Sequence, residues 1–248
     1  MRAWLLGSGG WIPTERRETA CVFVRRKSRG LLLDAGTGVR RLLSEPALLE
    51  GVESLDVVLT HFHLDHVCGL AYTPALPLVP SIWAPGQWLY GRPSREILAP
   101  LRTLPLSSFE EAELGEVHEL LPGTQAISEF GITTREQALH WAPTAGLRIE
   151  DELALLTDTA YEAASSDFTR GVTHLLHESW SCSSNPSAQT GDSTAAEAGR
   201  VGRDANVRHL TLIHINPLLR DETQLLADAR SFMPSAQIGK DEAELQLA

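Results

Sequence analysis

Apolar residues along the chain fall into short runs bounded by glycine, proline or small polar residues, the pattern of buried strands closed by turns. Residues 3–6 form the first run, residues 19–25 the second with Cys-Val-Phe-Val at its centre, and residues 31–34 the third. Residues 56–60, Asp-Val-Val-Leu-Thr, read as a fourth buried strand. Further strands are predicted over 132–139, 147–150, 153–157, 172–177 and 209–214, with edge strands at 236–238 and 244–247. Helical spacing covers 39–49, interrupted at Pro46, and again 94–98. Thr194-Ala-Ala-Glu197 is a capping box that opens a helix running to about Ala205. Residues 221–232 have the spacing of an amphipathic helix. Strands alternating with helices predict an α/β fold.

Two stretches break the pattern. Gly7-Ser8-Gly9-Gly10 follows the first strand as a flexible loop, and no P-loop Lys-Ser/Thr comes after it. Phosphate contact there stays open. From Gly69 to Glu119 prolines recur and Trp83, Trp88, Tyr90 and Phe109 add large apolar surface. These aromatics read either as the wall of a substrate pocket or as packing of loops over the core.

Composition narrows the class. With 248 residues, 43% hydrophobic and 21% charged, the chain can bury one large core, and a single domain over 1–248 is expected. The net charge of −11 gives no general attraction to nucleic acid or to an anionic membrane. Lys27 and Lys240 are the only lysines, a compositional bias with no functional reading. Cys21, Cys68 and Cys182 are scattered, which argues against a disulfide framework and suits a reducing cytoplasm. The apolar run before Gly7 is too short for a signal peptide or a spanning helix, so no membrane partner is expected.

The chemistry is concentrated after the fourth strand. His61, His63, Asp65 and His66 stand within six residues, in Thr-His-Phe-His-Leu-Asp-His-Val. His61 and His63 alternate with Phe62 and can point the same way, while Asp65 and His66 lie further round the turn, within reach of a second ion. Imidazole with carboxylate suits zinc, iron or manganese. His140, Asp158 and His214 likewise sit just after apolar strands, and the C-terminal ends of strands are where α/β folds place their sites.

His-x-His-x-Asp-His after a short strand resembles the signature of the metallo-β-lactamase superfamily, and within it the ribonuclease Z and phosphodiesterase branch. The likeness runs along nearly the whole chain and implies a four-layer αββα sandwich. It implies that His61, His63 and His140 hold one ion, that Asp65, His66 and His214 hold the other, and that Asp158 bridges them. Two Zn²⁺ are expected, with Mn²⁺ or Fe²⁺ as alternatives, and a bridging hydroxide would be the nucleophile. Asp65 would orient that water or accept its proton. Asp34 either supports the histidine loop, as the matching family Asp does, or is a turn residue before Ala35-Gly36.

The chain departs from the branch at two places. Where the branch carries a His supported by a Glu, this sequence has Asp192 and Glu178. Either the two carboxylates share a proton and act as the general acid, or Asp192 caps the following helix. Secondly, His140 and Asp158 lie too close for the transfer-RNA-binding arm of many family members. The expected function is therefore a dinuclear metal hydrolase, a phosphodiesterase on a small nucleotide or similar diester. Large nucleic acids are not expected as substrates, and a homodimer is left open. The alternative is hydrolysis of a carboxylic ester, lactone or sulfate ester, which Asp192 and the aromatics would favour. A flavin-linked di-iron protein is a further class, but its family members replace a His of the first loop with Glu, and this chain keeps both His61 and His63.

Overall fold

The structure is a computed structural model and describes residues 1–106, 115–183 and 191–247. The first sheet is built from β1 (Arg2–Gly7), β2 (Cys21–Arg26), β3 (Arg29–Leu33), β4 (Ser54–Val58), β5 (Ser81–Ala84) and β6 (Val117–Glu119). The second takes β7 (Gly123–Ile127), β8 (Phe130–Gln137), β9 (Thr144–Ile149), β10 (Leu153–Leu156), β11 (His174–Glu178), β12 (His209–Ile213) and β13 (Gln237–Ile238). The last strand, β14 (Ala243–Glu244), returns to the edge of the first sheet beside β1. The orders are β14-β1-β2-β3-β4-β5-β6 and β13-β12-β11-β10-β9-β8-β7. Each sheet is half antiparallel and half parallel: β3 to β6 run parallel in one, β10 to β13 in the other.

Period-two alternation explains why several strands are apolar at every position. Ala3 and Leu5 of β1, Leu31 and Leu33 of β3, and Leu153 and Leu155 of β10 point between the sheets, where they meet Phe130, Ile132, Leu147 and Leu176. Trp4, Leu6, Leu32 and Val57 point outward from the first sheet, beneath α1 (Arg41–Ser44), α2 (Leu64–Val67), and α4 (Ser94–Leu98), which follows α3 (Gly86–Tyr90). Ala154, Leu156, Leu175 and Leu212 point outward from the second. After α5 (Ala163–Phe168), α6 (Ala195–Asp204) and α7 (Thr223–Arg230) cover that face. Both faces of each sheet are thus sealed, and each fully buried leucine stabilises the fold by about 2 kcal/mol of transfer free energy. Gly199 makes the α6–α7 crossing possible, because a Cβ there would stand 2.4 Å from the Ala229 carbonyl oxygen. The expected αββα sandwich is the architecture observed.

Local expectations are corrected in four places. The helix over 39–49 is broken into a 3₁₀ turn (Thr37–Arg40), the single turn α1 and a second 3₁₀ turn (Pro46–Leu49). The proline ring excludes α geometry at Glu45, which sits at φ −120° and ψ 64°. The irregular stretch 69–119 contains β5 and β6, whose few residues carry too little alternation to be read. The hairpin strand β7 is exposed along most of its length and lacks an apolar run. The last strand covers only Ala243–Glu244, where 244–247 was predicted, while the edge strand predicted at 236–238 is β13. Part of the polar stretch after Ser179 lies outside the described residues. Among the described residues no helix is long and apolar enough to cross a membrane.

Candidate metal centre

The parallel halves of the two sheets deliver their strand ends to one place. Pairing of Leu33 with Val58 sets Asp34, after β3, beside Thr60, after β4. In the second sheet, Leu156 pairs with His177 and Glu178 with Ile213, so Asp158, Glu178 and His214 emerge side by side from β10, β11 and β12. Asp34, Asp158 and His214 all adopt left-handed backbone, at φ 57°, 51° and 52°. Such a conformation costs a non-glycine residue about 1–3 kcal/mol and clusters where side chains are held for function.

Asp158 is the hub. Its Oδ1 lies 3.7 Å from His61 Nε2, 3.8 Å from His63 Nδ1 and 3.6 Å from His140 Nε2. Its Oδ2 lies 3.1 Å from His66 Nε2 and 3.5 Å from His214 Nε2. Asp65 Oδ2 completes the second set at 3.4 Å from each of those two nitrogens. Two donors each about 2.1 Å from a shared tetrahedral ion stand about 3.4 Å apart, so each set has the spacing of a coordination sphere. His61 also comes within reach of the His66 side. The Asp158 oxygen it faces is the one that His63 and His140 also face.

The surrounding hydrogen bonds fix which nitrogen is free. Asp34 Oδ2 accepts from His66 Nδ1 at 2.8 Å, which turns His66 Nε2 toward Asp158. Asp34 also accepts from the Thr60 amide at 2.7 Å and from its hydroxyl, and Thr60 Oγ1 in turn accepts from His61 Nδ1 at 2.9 Å. His61 Nε2 is then buried without any hydrogen-bond partner. His66 Nε2 and His214 Nε2 face each other at 3.3 Å, where two lone pairs need a proton or a cation between them. Buried polar atoms are seldom left unpaired, and both features fit divalent metal ions bound by these residues. Asp34 therefore acts on the histidine loop, and is in addition the left-handed turn residue.

Charge is arranged to suit. Burial alone would push the Asp65 carboxyl up, but His66 and His214 outweigh it and hold it well below the usual carboxylate range. Asp158 is likewise driven down, against its burial, by His214, His66 and His61. Burial keeps the His61 imidazole neutral, helped by the charge of His66.

Glu178 and Asp192 stand behind the ligands. Glu178 is fully buried and accepts from the Thr159 amide. Burial pushes its pKa well up, and the neighbouring charges of Asp192 and Asp158 push the same way. Asp192 Oδ1 lies 3.2 Å from His140 Nδ1, which also reaches the Gly191 carbonyl at 3.2 Å. The helix-cap reading of Asp192 is corrected: Thr194 caps α6, with Glu197 closing the capping box.

Other residues bear on the site. Thr60 was invisible as the link between Asp34 and His61, because a threonine ending a strand is commonplace. The glycine loop lies against the cluster, and a Cβ on Gly10 would stand 2.6 Å from the His214 ring. The next residue, Trp11, donates its backbone N–H to Asp65 Oδ2 at 2.7 Å. Of the aromatics between β5 and β6, Trp83 donates to Asp56 and stacks on His118, and Trp88 packs on the core between the sheets. Tyr90 donates to the Pro143 carbonyl at 2.7 Å and so pins the turn after His140. Phe109 lies outside the described residues.

Comparison with known proteins agrees with this geometry. The family model of the metallo-beta-lactamase superfamily matches residues 14–148. A protein of Metallosphaera sedula named Ribonuclease Z is 25% identical, over 100% of this chain and 99% of its own length. The solved metallo-beta-lactamase fold protein YhfI of Bacillus subtilis superposes with a TM-score of 0.82 at 18% identity, covering 98% of both chains. The short form of human tRNase Z superposes at 0.73 and 16% identity, covering 100% of both. These relatives overturn the expectation of a small-molecule substrate with nucleic acid unlikely, since proteins named for RNA cleavage align end to end with this chain. That expectation rested on the missing arm between His140 and Asp158, and on the net charge of −11, which averages over the whole surface. Phosphate binding is decided by local charge, and bound ions can be the largest local charges in a site.

Proposed function

The chain belongs to the metallo-β-lactamase superfamily, and from this we infer that it is a metal-dependent hydrolase of phosphodiester bonds, with RNA-type diesters as its substrate class. One observation supports this above the rest: the two oxygens of Asp158 divide His61, His63 and His140 from His66 and His214. That division would let two ions, zinc first among them, be held side by side with Asp158 between them. When bound, such ions supply Lewis acidity toward the phosphoryl oxygens and a water acidic enough to attack at neutral pH.

The chain's own residues do the rest. Asp34 and Thr60 hold His66 and His61 in the tautomer that presents Nε2. Asp192 does the same for His140. Asp65, with one oxygen fixed by the Trp11 amide, would orient the attacking water. Asp192 is a positioning residue for His140, whereas Glu178 Oε2 stands 3.9 Å from His214 Nδ1 with no hydrogen bond between them. The test is a panel of a 3′-extended transfer-RNA precursor, bis(p-nitrophenyl) phosphate, and carboxylic and sulfate esters, each with and without chelator. Chelator-sensitive cleavage of the diesters is expected. Turnover of the carboxylic or sulfate esters alone would overturn the reading.

A further inference from the structure

Large apolar side chains are left in solvent around the ligands. Trp11 is 56% exposed, Leu64 67% and Trp141 78%. Each is tied to the site through the backbone. Trp11 holds Asp65 through its amide, Leu64 lies between His63 and Asp65, and Trp141 directly follows His140. The other tryptophans are less exposed: Trp4 is 8% exposed and packs on Phe23, and Trp83, Trp88 and Trp180 are half-buried.

The two exposed tryptophans are divided as the ligands are. Trp11 belongs to the set that faces Asp158 Oδ2, and Trp141 to the set that faces Oδ1. A phosphodiester bound at the centre would carry one ester arm on each side of its phosphorus. The backbones that carry the rings are fixed. Trp11 sits at φ 63° with its amide bonded to Asp65. The turn after His140 is pinned at Pro143 by Tyr90. Affinity for such a substrate must come from somewhere other than overall charge, because the chain carries −11. Stacking on aromatic rings supplies it without cationic side chains, and each stacked base is worth about a tenfold or greater change on alanine substitution.

We propose that Trp11 and Trp141 are specificity-determining residues that stack the nucleobases on either side of the scissile phosphodiester. This rests on the reading of the chain as a phosphodiester hydrolase. The test uses full-length protein, Trp11→Ala, Trp141→Ala and the corresponding Phe variants. Substrates are a short RNA oligonucleotide and its abasic ribose-phosphate analogue. Binding of the labelled oligonucleotide is measured by fluorescence anisotropy in chelator, and kcat/KM with metal restored. Each Ala variant should lower the preference for base-bearing over abasic RNA about tenfold, in binding and in kcat/KM, and Phe should restore most of it. Equal preference in all variants, with RNA still cleaved, overturns the stacking and leaves the hydrolase reading intact. No binding or cleavage of RNA by the parent overturns both. A dimer that becomes monomeric by light scattering in the Ala variants, with RNA preference kept, makes the rim an interface between copies and also overturns the proposal.

Discussion

Replacing Asp34 by asparagine tests how the metal centre is held while changing almost no volume. Both oxygens of Asp34 accept: Oδ1 takes the Thr60 amide at 2.7 Å, and Oδ2 takes His66 Nδ1 at 2.8 Å. Asparagine has one acceptor and one donor. If its oxygen stays with Thr60, its NH₂ meets His66 Nδ1. The imidazole must then move its proton to Nε2, the atom that faces Asp158 at 3.1 Å. If the amide flips, NH₂ confronts the Thr60 N–H in a site with no exposure to water. The first arrangement removes a metal ligand, and the second leaves a buried donor unpaired at about 1–3 kcal/mol. Loss of such an orienting partner weakens metal binding about 10- to 100-fold, or about 1.4–2.7 kcal/mol. Competition against a chromophoric chelator measures this directly, with thermal melting of the metal-free protein as the control. Unchanged affinity in a variant that melts normally would refute the tautomer argument.

Asp158→Ala should abolish hydrolysis and lower metal content by elemental analysis, with far-UV circular dichroism unchanged, because apart from the neighbouring Thr157 hydroxyl only the candidate ligands meet at this carboxylate. Retained turnover with full metal content would show that it is a turn residue alone. Gly10→Ala should lower metal affinity at least tenfold, because its Cβ would stand 2.6 Å from the His214 ring, and chelator competition reads that loss. Stability should fall as the pH drops below about 6.5 toward 4. His174 is buried between the Gln246 carbonyl and the Thr211 hydroxyl, and burial lowers its pKa to about 4. The unfolded chain takes up its proton first, so about 3 kcal/mol is lost across that window. Urea titrations of His174→Gln at pH 7 and pH 5 should show a smaller difference than the parent.

The candidate ligands were legible because their chemistry is local: a histidine at the end of an apolar strand declares itself without knowledge of its partner. The sandwich was legible for a similar reason, since runs such as Leu31-Leu32-Leu33 require cover on both faces. Side chains that act through space were harder to read. Thr60 orients His61 only because β3 brings Asp34 alongside, a register that the pattern does not contain. Asp192 was ambiguous between acid and cap, and it meets His140 only because the chain turns at Gly191, φ 72°, before α6 begins. The substrate class went astray because a missing arm and the overall charge were taken as guides to a site whose charge is set locally.

The division of the ligands has a consequence for how the molecule holds together. His61, His63, Asp65 and His66 come from the first sheet, and His140, Asp158 and His214 from the second. Neither half of the chain contains a complete coordination set. Occupancy of the centre would therefore act as a staple across the seam between the sheets, drawing its binding energy from their correct docking. A chain whose halves fold but meet askew would hold no metal and do no chemistry, so the centre serves as its own inspection of assembly.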